Sequence, residues 1–256
     1  MKNRNLLIFA FLCSLILCQR LCAQSNMEAL QFNSNNQLLQ GLFKSPIIQG
    51  NKQFPLIIWL HGSGECGNDN KKQFCNGIEY LDSLLDTQKY QAFLYAPQCP
   101  EQNQWSVYQD KFEIHQFSDS ATKVEVRLMQ TIEYLTKKHP IDQKRIYLIG
   151  LSMGGYAVWD LLARYPGQFA AGIPICGGGD PKIAKLYCNS PVWAFHGKRD
   201  DIVNVENTIQ IIDAIKSQEC QIDTKMTIYP DQNHGCWGRA VREPGMLDWL
   251  FSKSLY

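Results

Sequence analysis

Seven residues, Ile149-Gly150-Leu151-Ser152-Met153-Gly154-Gly155, constrain this chain more than any other stretch. The apolar run Arg145-Ile146-Tyr147-Leu148-Ile149-Gly150 leads into them and reads as a buried strand. A helical pattern with Tyr156, Trp159, Asp160, Leu161 and Leu162 leads out, and stops at Pro166-Gly167. The order is strand, sharp turn, helix, with a serine at the turn. Gly-x-Ser-x-Gly supplies what such a turn needs: a central residue at strained backbone angles and no side chains crowding it. The serine oxygen then stands clear of the strand ends, and the Met153 N–H faces the place where an oxyanion would form. The same five residues also describe a glycine-rich turn with a helix-capping serine, so the rest of the chain has to decide.

An almost unbroken apolar run, Phe54-Pro55-Leu56-Ile57-Ile58-Trp59-Leu60, lacks the alternation of a half-exposed strand. It reads as a central parallel strand covered on both faces. It opens into His61-Gly62-Ser63-Gly64-Glu65-Cys66-Gly67, a loop whose glycines let backbone approach a ligand. Here the N–H of Ser63 is the candidate second oxyanion donor, with Gly64 next, and His61 holds the loop. Further strands are expected over 91–96, 169–176, 191–195 and 225–229. Helices are expected over 76–89, 120–139, 205–216 and 239–252. Strand-like pieces at 29–32 and 38–43 precede them. Strand and helix alternate, which argues a mostly parallel central sheet with helices on both faces. Residues 98–118 form a long polar and aromatic connection that is expected to wall a pocket. Trp105 is its substrate-binding candidate, and Trp237, near the C-terminus, is a second. His115 has no partner in sequence, and His139, at the end of the helix expected over 120–139, reads as a surface residue compatible with the helix dipole. Asp180, in Gly177-Gly178-Gly179-Asp180, reads as an ordinary turn residue.

Residues 1–24 read as a secretory signal peptide. Lys2 and Arg4 start it, a short apolar run over 6–17 follows, and small residues come near Ala23. A lipoprotein anchor at Cys18 or Cys22 is the competing reading; Leu17 and Leu21, where a small residue is expected, argue against it. No later stretch is apolar enough to span a membrane. The expected location is therefore secreted or periplasmic, with residues 25–256 forming one catalytic domain. The chain has 25 basic and 24 acidic residues, so it carries no net field to attract nucleic acid. Seven cysteines follow the signal: Cys66, Cys75, Cys99, Cys176, Cys188, Cys220 and Cys236. In an exported chain some pair, and an odd number leaves one over. Cys66 and Cys75 are spaced to close a short loop, but spacing does not give connectivity. No Cys-x-x-Cys occurs, and neither metal nor cofactor is called for.

Ser152, Asp200 and His234 each follow the end of a successive expected strand, where ligands collect in parallel sheets. A serine hydroxyl needs a base within hydrogen-bond reach. A histidine supplies one near neutral pH, and a carboxylate fixes the imidazole tautomer. Asp201 rivals Asp200 for the acid, and His196 reads as structural. With these residues in place, the chain resembles the α/β-hydrolases of the secreted esterase and peptidase-like group. That group takes in polyhydroxybutyrate-depolymerase-like, feruloyl and acetylxylan esterases, dienelactone hydrolases and the prolyl-oligopeptidase catalytic domain. The resemblance rests on Leu60-His61-Gly62-Ser63-Gly64, Ala96-Pro97-Gln98-Cys99-Pro100, Gly150-Leu151-Ser152-Met153-Gly154-Gly155, Phe195-His196-Gly197-Lys198-Arg199-Asp200-Asp201 and His234-Gly235-Cys236-Trp237. It implies an α/β-hydrolase fold and a triad in the order Ser, Asp, His. It favours Asp200 as the acid. The expected activity is a serine carboxylesterase on a small-molecule or oligosaccharide ester, including acetyl or feruloyl groups on plant polysaccharide. A prolyl-oligopeptidase-like peptidase and a non-catalytic binding protein are the alternatives. The large peptidases of the group carry an N-terminal propeller, for which this chain has no room.

Overall fold

The computed structural model describes residues 27–30, 38–48, 50–87, 89–108 and 113–255. The segment read as a signal peptide lies outside them. Among the described residues eight strands form one sheet: β1 (Glu28–Leu30), β2 (Gly41–Lys44), β3 (Phe54–Leu60), β4 (Phe93–Pro97), β5 (Ile141–Leu151), β6 (Ala171–Ile175), β7 (Val192–Gly197) and β8 (Thr224–Tyr229). Their spatial order is β1-β2-β4-β3-β5-β6-β7-β8. β1 and β2 run antiparallel at one edge, and every pairing from β4 through β8 is parallel. The unbroken apolar runs are explained by the two faces of this sheet. Leu56, Ile58 and Leu60 of β3 point into one core, and Ile57 and Trp59 into the other. The helices α2 (Lys123–Lys138), α3 (Met153–Arg164) and α4 (Glu206–Lys216) cover the first face with Leu128, Ile132, Leu161, Ile211 and Ile215. The helices α1 (Ile78–Leu85) and α6 (Met246–Phe251) cover the second with Ile78, Leu81, Met246 and Leu250. The helices α1, α2 and α4 turn an apolar stripe inward, as a 3.6-residue period dictates, whereas α3 is buried all round from Met153 to Ala163.

Local signals set the ends. Thr122 caps α2, accepting the Glu125 N–H at 3.0 Å on its hydroxyl. The helix expected over 239–252 is two short ones, α5 (Trp237–Ala240) and α6. Pro244 and Gly245 separate them, and Gly245 takes φ +79°, a conformation that favours glycine. The helix expected over 76–89 is shortened to α1. An unexpected 3₁₀ segment, Pro181–Asn189, precedes β7. Its Cys188 forms a disulfide with Cys220, beyond α4. Cys66 and Cys75 are not joined to each other by a disulfide. Among the described residues no helix is long and apolar enough to cross a membrane.

The sheet order has one consequence for the site. The chain passes from β3 to β4 on one side and then to β5 on the other, a reversal of the kind at which open parallel sheets hold ligands. In the β3–β5 register Leu60 lies opposite Gly150. The loop after β3 and the turn after β5 therefore leave the sheet side by side.

Candidate active site

Ser152 is the residue between β5 and α3, at φ +53° and ψ −115°. A non-glycine residue held there is strained by about 1–3 kcal/mol. Two features of the surroundings enforce the turn. Its N–H donates to the Ile175 carbonyl at 2.8 Å. A Cβ on Gly154 would collide with the Leu60 carbonyl, and one on Gly150 with the Gly154 carbonyl. Only glycine lets β3, β5 and α3 approach so closely, which is why both flanking positions carry it.

The structure brings the three residues of the sequence reading together. His234 Nε2 lies 2.9 Å from Ser152 Oγ, and His234 Nδ1 lies 2.7 Å from Asp200 Oδ2. Asp201 stays exposed at the surface. The Asp200 carboxylate is filled on both oxygens. Oδ1 accepts the N–H groups of Ile202 at 2.9 Å and Val203 at 2.8 Å. Oδ2 faces both His234 Nδ1 and His196 Nε2, the latter at 3.1 Å. Burial alone would disfavour the charge. The two imidazoles and the two amides more than offset it and hold the carboxyl well below the usual carboxylate range. His234 shows the converse. Burial lowers its pKa, while its hydrogen bonds to Asp200 and to the Cys176 sulfur, with the Asp200 charge, raise it to about 9. With Nδ1 donating to Asp200, Nε2 is the nitrogen left to accept a proton from Ser152.

The oxyanion candidates follow from helix geometry. Met153 is the first residue of α3, and Ser63 the first of the 3₁₀ turn Ser63–Glu65. Neither N–H has an acceptor inside its own helix. Both residues line one cavity of about 520 Å³, with Asn103, Gln104, Tyr108 and Thr122 on its walls. Trp105 is not on that wall, contrary to the sequence reading. It is 1% exposed, its Nε1 donates to the His61 carbonyl at 3.0 Å, and its ring meets the His61 ring edge-on at 5.0 Å. Tyr108, three residues on, takes the pocket position and stacks on Tyr156 at 5.2 Å. Trp237 does reach the site: its ring stands perpendicular to His234 at 5.4 Å. Its Nε1 donates to Asn76 Oδ1 at 3.2 Å, and Asn76 Nδ2 donates to Glu65 Oε1 at 2.8 Å. That chain of side chains ties the histidine loop to the Ser63–Glu65 turn.

Two histidines support the site from behind. His61 accepts the Cys99 N–H at 2.9 Å on Nε2, so its hydrogen sits on Nδ1, directed to the Gly62 carbonyl at 2.6 Å. Burial lowers its pKa to about 4 and keeps it neutral. His196, read from sequence as structural, is a direct partner of the acid. Its Nδ1 lies 2.8 Å from Thr208 Oγ1. Its place four residues before Asp200 was the signal for this. Asp180 and His115 are structural: Asp180 accepts the Lys182 and Phe117 N–H groups, and the His115 N–H donates to Asn207. Cys176, His196 and Asp200 place donor atoms within 4.8 Å of one another. Those of His196 and Asp200 are already engaged by each other and by His234, so a cation there would displace the imidazole that orients on Asp200.

The model of the dienelactone hydrolase family matches residues 91–242. The bifunctional acetylxylan esterase/xylanase XynS20E of Neocallimastix patriciarum is 25% identical over 183 residues, 70% of this chain and 24% of that protein. The human prolyl endopeptidase FAP is 28% identical over 235 residues, 75% of this chain and 28% of that protein. The chain thus spans about a quarter of the length of either relative. The crystal structure of a thermostable esterase superposes with a TM-score of 0.76 and 29% identity, over 90% of this chain and 63% of that one. With its parallel sheet, its serine turn and this match over more than half its length, the chain belongs to the dienelactone hydrolase family and has the α/β-hydrolase fold.

Proposed function

We propose that this chain is an exported serine carboxylesterase acting through an acyl-enzyme on acylated carbohydrate. The observation that carries the reading is the continuous hydrogen-bonded line from Ser152 Oγ through His234 to Asp200. His234 Nε2 takes the Ser152 proton as Oγ attacks the ester carbonyl carbon. The N–H groups of Met153 and Ser63 receive the oxyanion, each worth roughly 100- to 1000-fold in rate. His234 then gives its proton to the departing alcohol oxygen. A water, deprotonated by the same nitrogen, releases the acid from Ser152. The cavity beside the oxyanion donors favours a polyol as the alcohol: Asn103, Gln104, Thr122 and Tyr108 offer amides, a hydroxyl and an aromatic face, and no charged side chain lines it among the described residues. The similarity to an acetylxylan esterase points the same way.

The test compares wild type with Ser152→Ala on p-nitrophenyl acetate and on acetylated and feruloylated xylo-oligosaccharides. The reading expects Ser152→Ala to lose all but a trace of the wild-type rate on each ester, and the acylated sugars to be the better substrates by kcat/KM. Equal rates in the two proteins would overturn the serine mechanism. Synthetic esters alone being cleaved would overturn the carbohydrate assignment. The similarity to a prolyl endopeptidase keeps a peptidase as the second reading. It predicts that a prolyl amide turns over faster than its matched ester.

A further inference from the structure

Two cysteines that the proposed reaction leaves unused lie directly behind the histidine loop. Cys176 and Cys236 are both 0% exposed, and their sulfurs are 3.2 Å apart across 60 residues of sequence. Cys176 directly follows β6 and takes φ +50°, a left-handed conformation that costs a non-glycine residue energy. The residue before it, Ile175, accepts the Ser152 N–H, and the Cys176 N–H donates to the Phe195 carbonyl at 2.8 Å. Cys236 stands two residues after His234, and the His234 ring also meets the Cys176 sulfur. The two sulfurs thus join the backbone that holds the nucleophile to the backbone that carries the base.

We propose that Cys176 and Cys236 form a second disulfide, one that fastens the His234 loop to the end of β6 beside the Ser152 turn. The step is thiol–disulfide exchange with a small-molecule disulfide met during folding, before the pair is buried. Two protein thiols lose two protons and two electrons and form one S–S bond, while the oxidant's S–S bond breaks and leaves as two thiols. The same class of oxidant closes Cys188–Cys220, which is already bonded. The remaining cysteines are placed differently. Cys66 and Cys99 hydrogen-bond to each other near the cavity, and Cys75 donates to the Lys72 carbonyl. A cross-link over so long a loop removes a large share of unfolded-chain entropy. It also limits how far the His234 loop can drift from Ser152.

The experiment refolds the reduced full chain in oxidised and reduced glutathione. Free thiols are blocked in denaturant without reductant, and a non-reducing digest is mapped by mass. The expected result is a peptide pair joined through Cys176 and Cys236 beside the Cys188–Cys220 pair. Melting is read in parallel for wild type and Cys236→Ala, each oxidised and reduced. The wild-type advantage should be larger in the oxidised state by on the order of 10 °C. Recovery of Cys176 and Cys236 as blocked free thiols, joining of either to another cysteine, or zinc retained on the reduced pair would each overturn the proposal. The mass map uses wild type and stands even where Cys236→Ala does not fold. These readouts do not depend on the esterase reading, since neither measures turnover.

Discussion

Replacing Asp200 by Asn tests the acid and its alternative in one pair of variants. In the native site Oδ1 accepts two backbone N–H groups and Oδ2 faces two imidazoles. An asparagine has one oxygen and one NH₂ for these two places. With the oxygen kept on the Ile202 and Val203 amides, the NH₂ faces His234 Nδ1 and His196 Nε2, and both rings must turn acceptor there. His234 then carries its hydrogen on Nε2, the nitrogen 2.9 Å from Ser152 Oγ, and has no lone pair to take the serine proton. With the amide flipped, the NH₂ meets the N–H groups of exposed Ile202 and buried Val203 instead; the donor repulsion, and the loss of the Val203 bond above all, costs about 1–3 kcal/mol. The first arrangement is therefore favoured, and kcat should fall about 10⁴-fold, equivalent to about 5.4 kcal/mol of barrier. Asp201→Asn, at an exposed position, should stay within about twofold of wild type, as surface exchanges usually do. The assay is kcat for p-nitrophenyl acetate in both variants, with melting curves to show that each is folded. A folded Asp200→Asn within tenfold of wild type, or an equal loss in Asp201→Asn, would refute the tautomer argument.

Four other expectations follow from the same geometry. With the His234 pKa raised to about 9, kcat/KM should climb about tenfold per pH unit up to that point and then level, because only the neutral ring accepts a proton; a plateau already at pH 7 would contradict it. The same shift acts on stability: a folded pKa above the ordinary value of about 6.5 means the His234⁺–Asp200⁻ pair adds stability fully below that pH and loses it as pH rises through about 9. The melting gap between wild type and His234→Ala should narrow over that window. Ser152→Gly should melt above Ser152→Ala by about 2–6 °C, because glycine relieves the strain at φ +53°, while both lack activity. Gly154→Ala drives a methyl into the Leu60 carbonyl, which is backbone and cannot turn aside; it should cost more than about 2 kcal/mol in urea unfolding and lower kcat with it.

Much of this fold is written in periodicity. The β3 and β5 runs lack alternation because both of their faces are covered, and the parallel sheet follows from that. The triad was legible for a related reason: Ser152, Asp200 and His234 each follow a strand end, and parallel strands end on one edge. What escaped sequence reasoning depends on side-chain direction across the fold. Nothing along the chain distinguishes Trp105, turned in to bond the His61 carbonyl, from Tyr108, left on the cavity wall. The break between α5 and α6 was signalled by Pro244-Gly245, but the surrounding apolar pattern masks it. The Cys188–Cys220 pairing joins residues whose proximity is set by α4 packing against the 3₁₀ segment, information that spacing does not hold.

The residues around the triad share one property. His61, Trp105, His196, Asn76 and Trp237 each bond to, or pack against, another part of the site. The triad stands on three loops after β5, β7 and β8, and loops after strand ends are the parts of such a fold freest to move. A proton can pass between Ser152 and His234 only within hydrogen-bond distance, so the loops must be held to a few tenths of an ångström. Strand pairing ends at Leu151, Gly197 and Tyr229; beyond it, single backbone bonds such as Ser152 N–H to the Ile175 carbonyl and Arg199 N–H to the Gln232 carbonyl hold the bases of the loops but do not fix the side chains. The buried polar contacts do: His196 and two amides fix Asp200, Asp200 fixes His234, and the Trp237–Asn76–Glu65 chain fixes the histidine loop against the oxyanion turn. Activity in this protein should therefore be lost to substitutions in that supporting set as surely as in the triad, but by graded steps, since each contact removed loosens one loop while the others still hold.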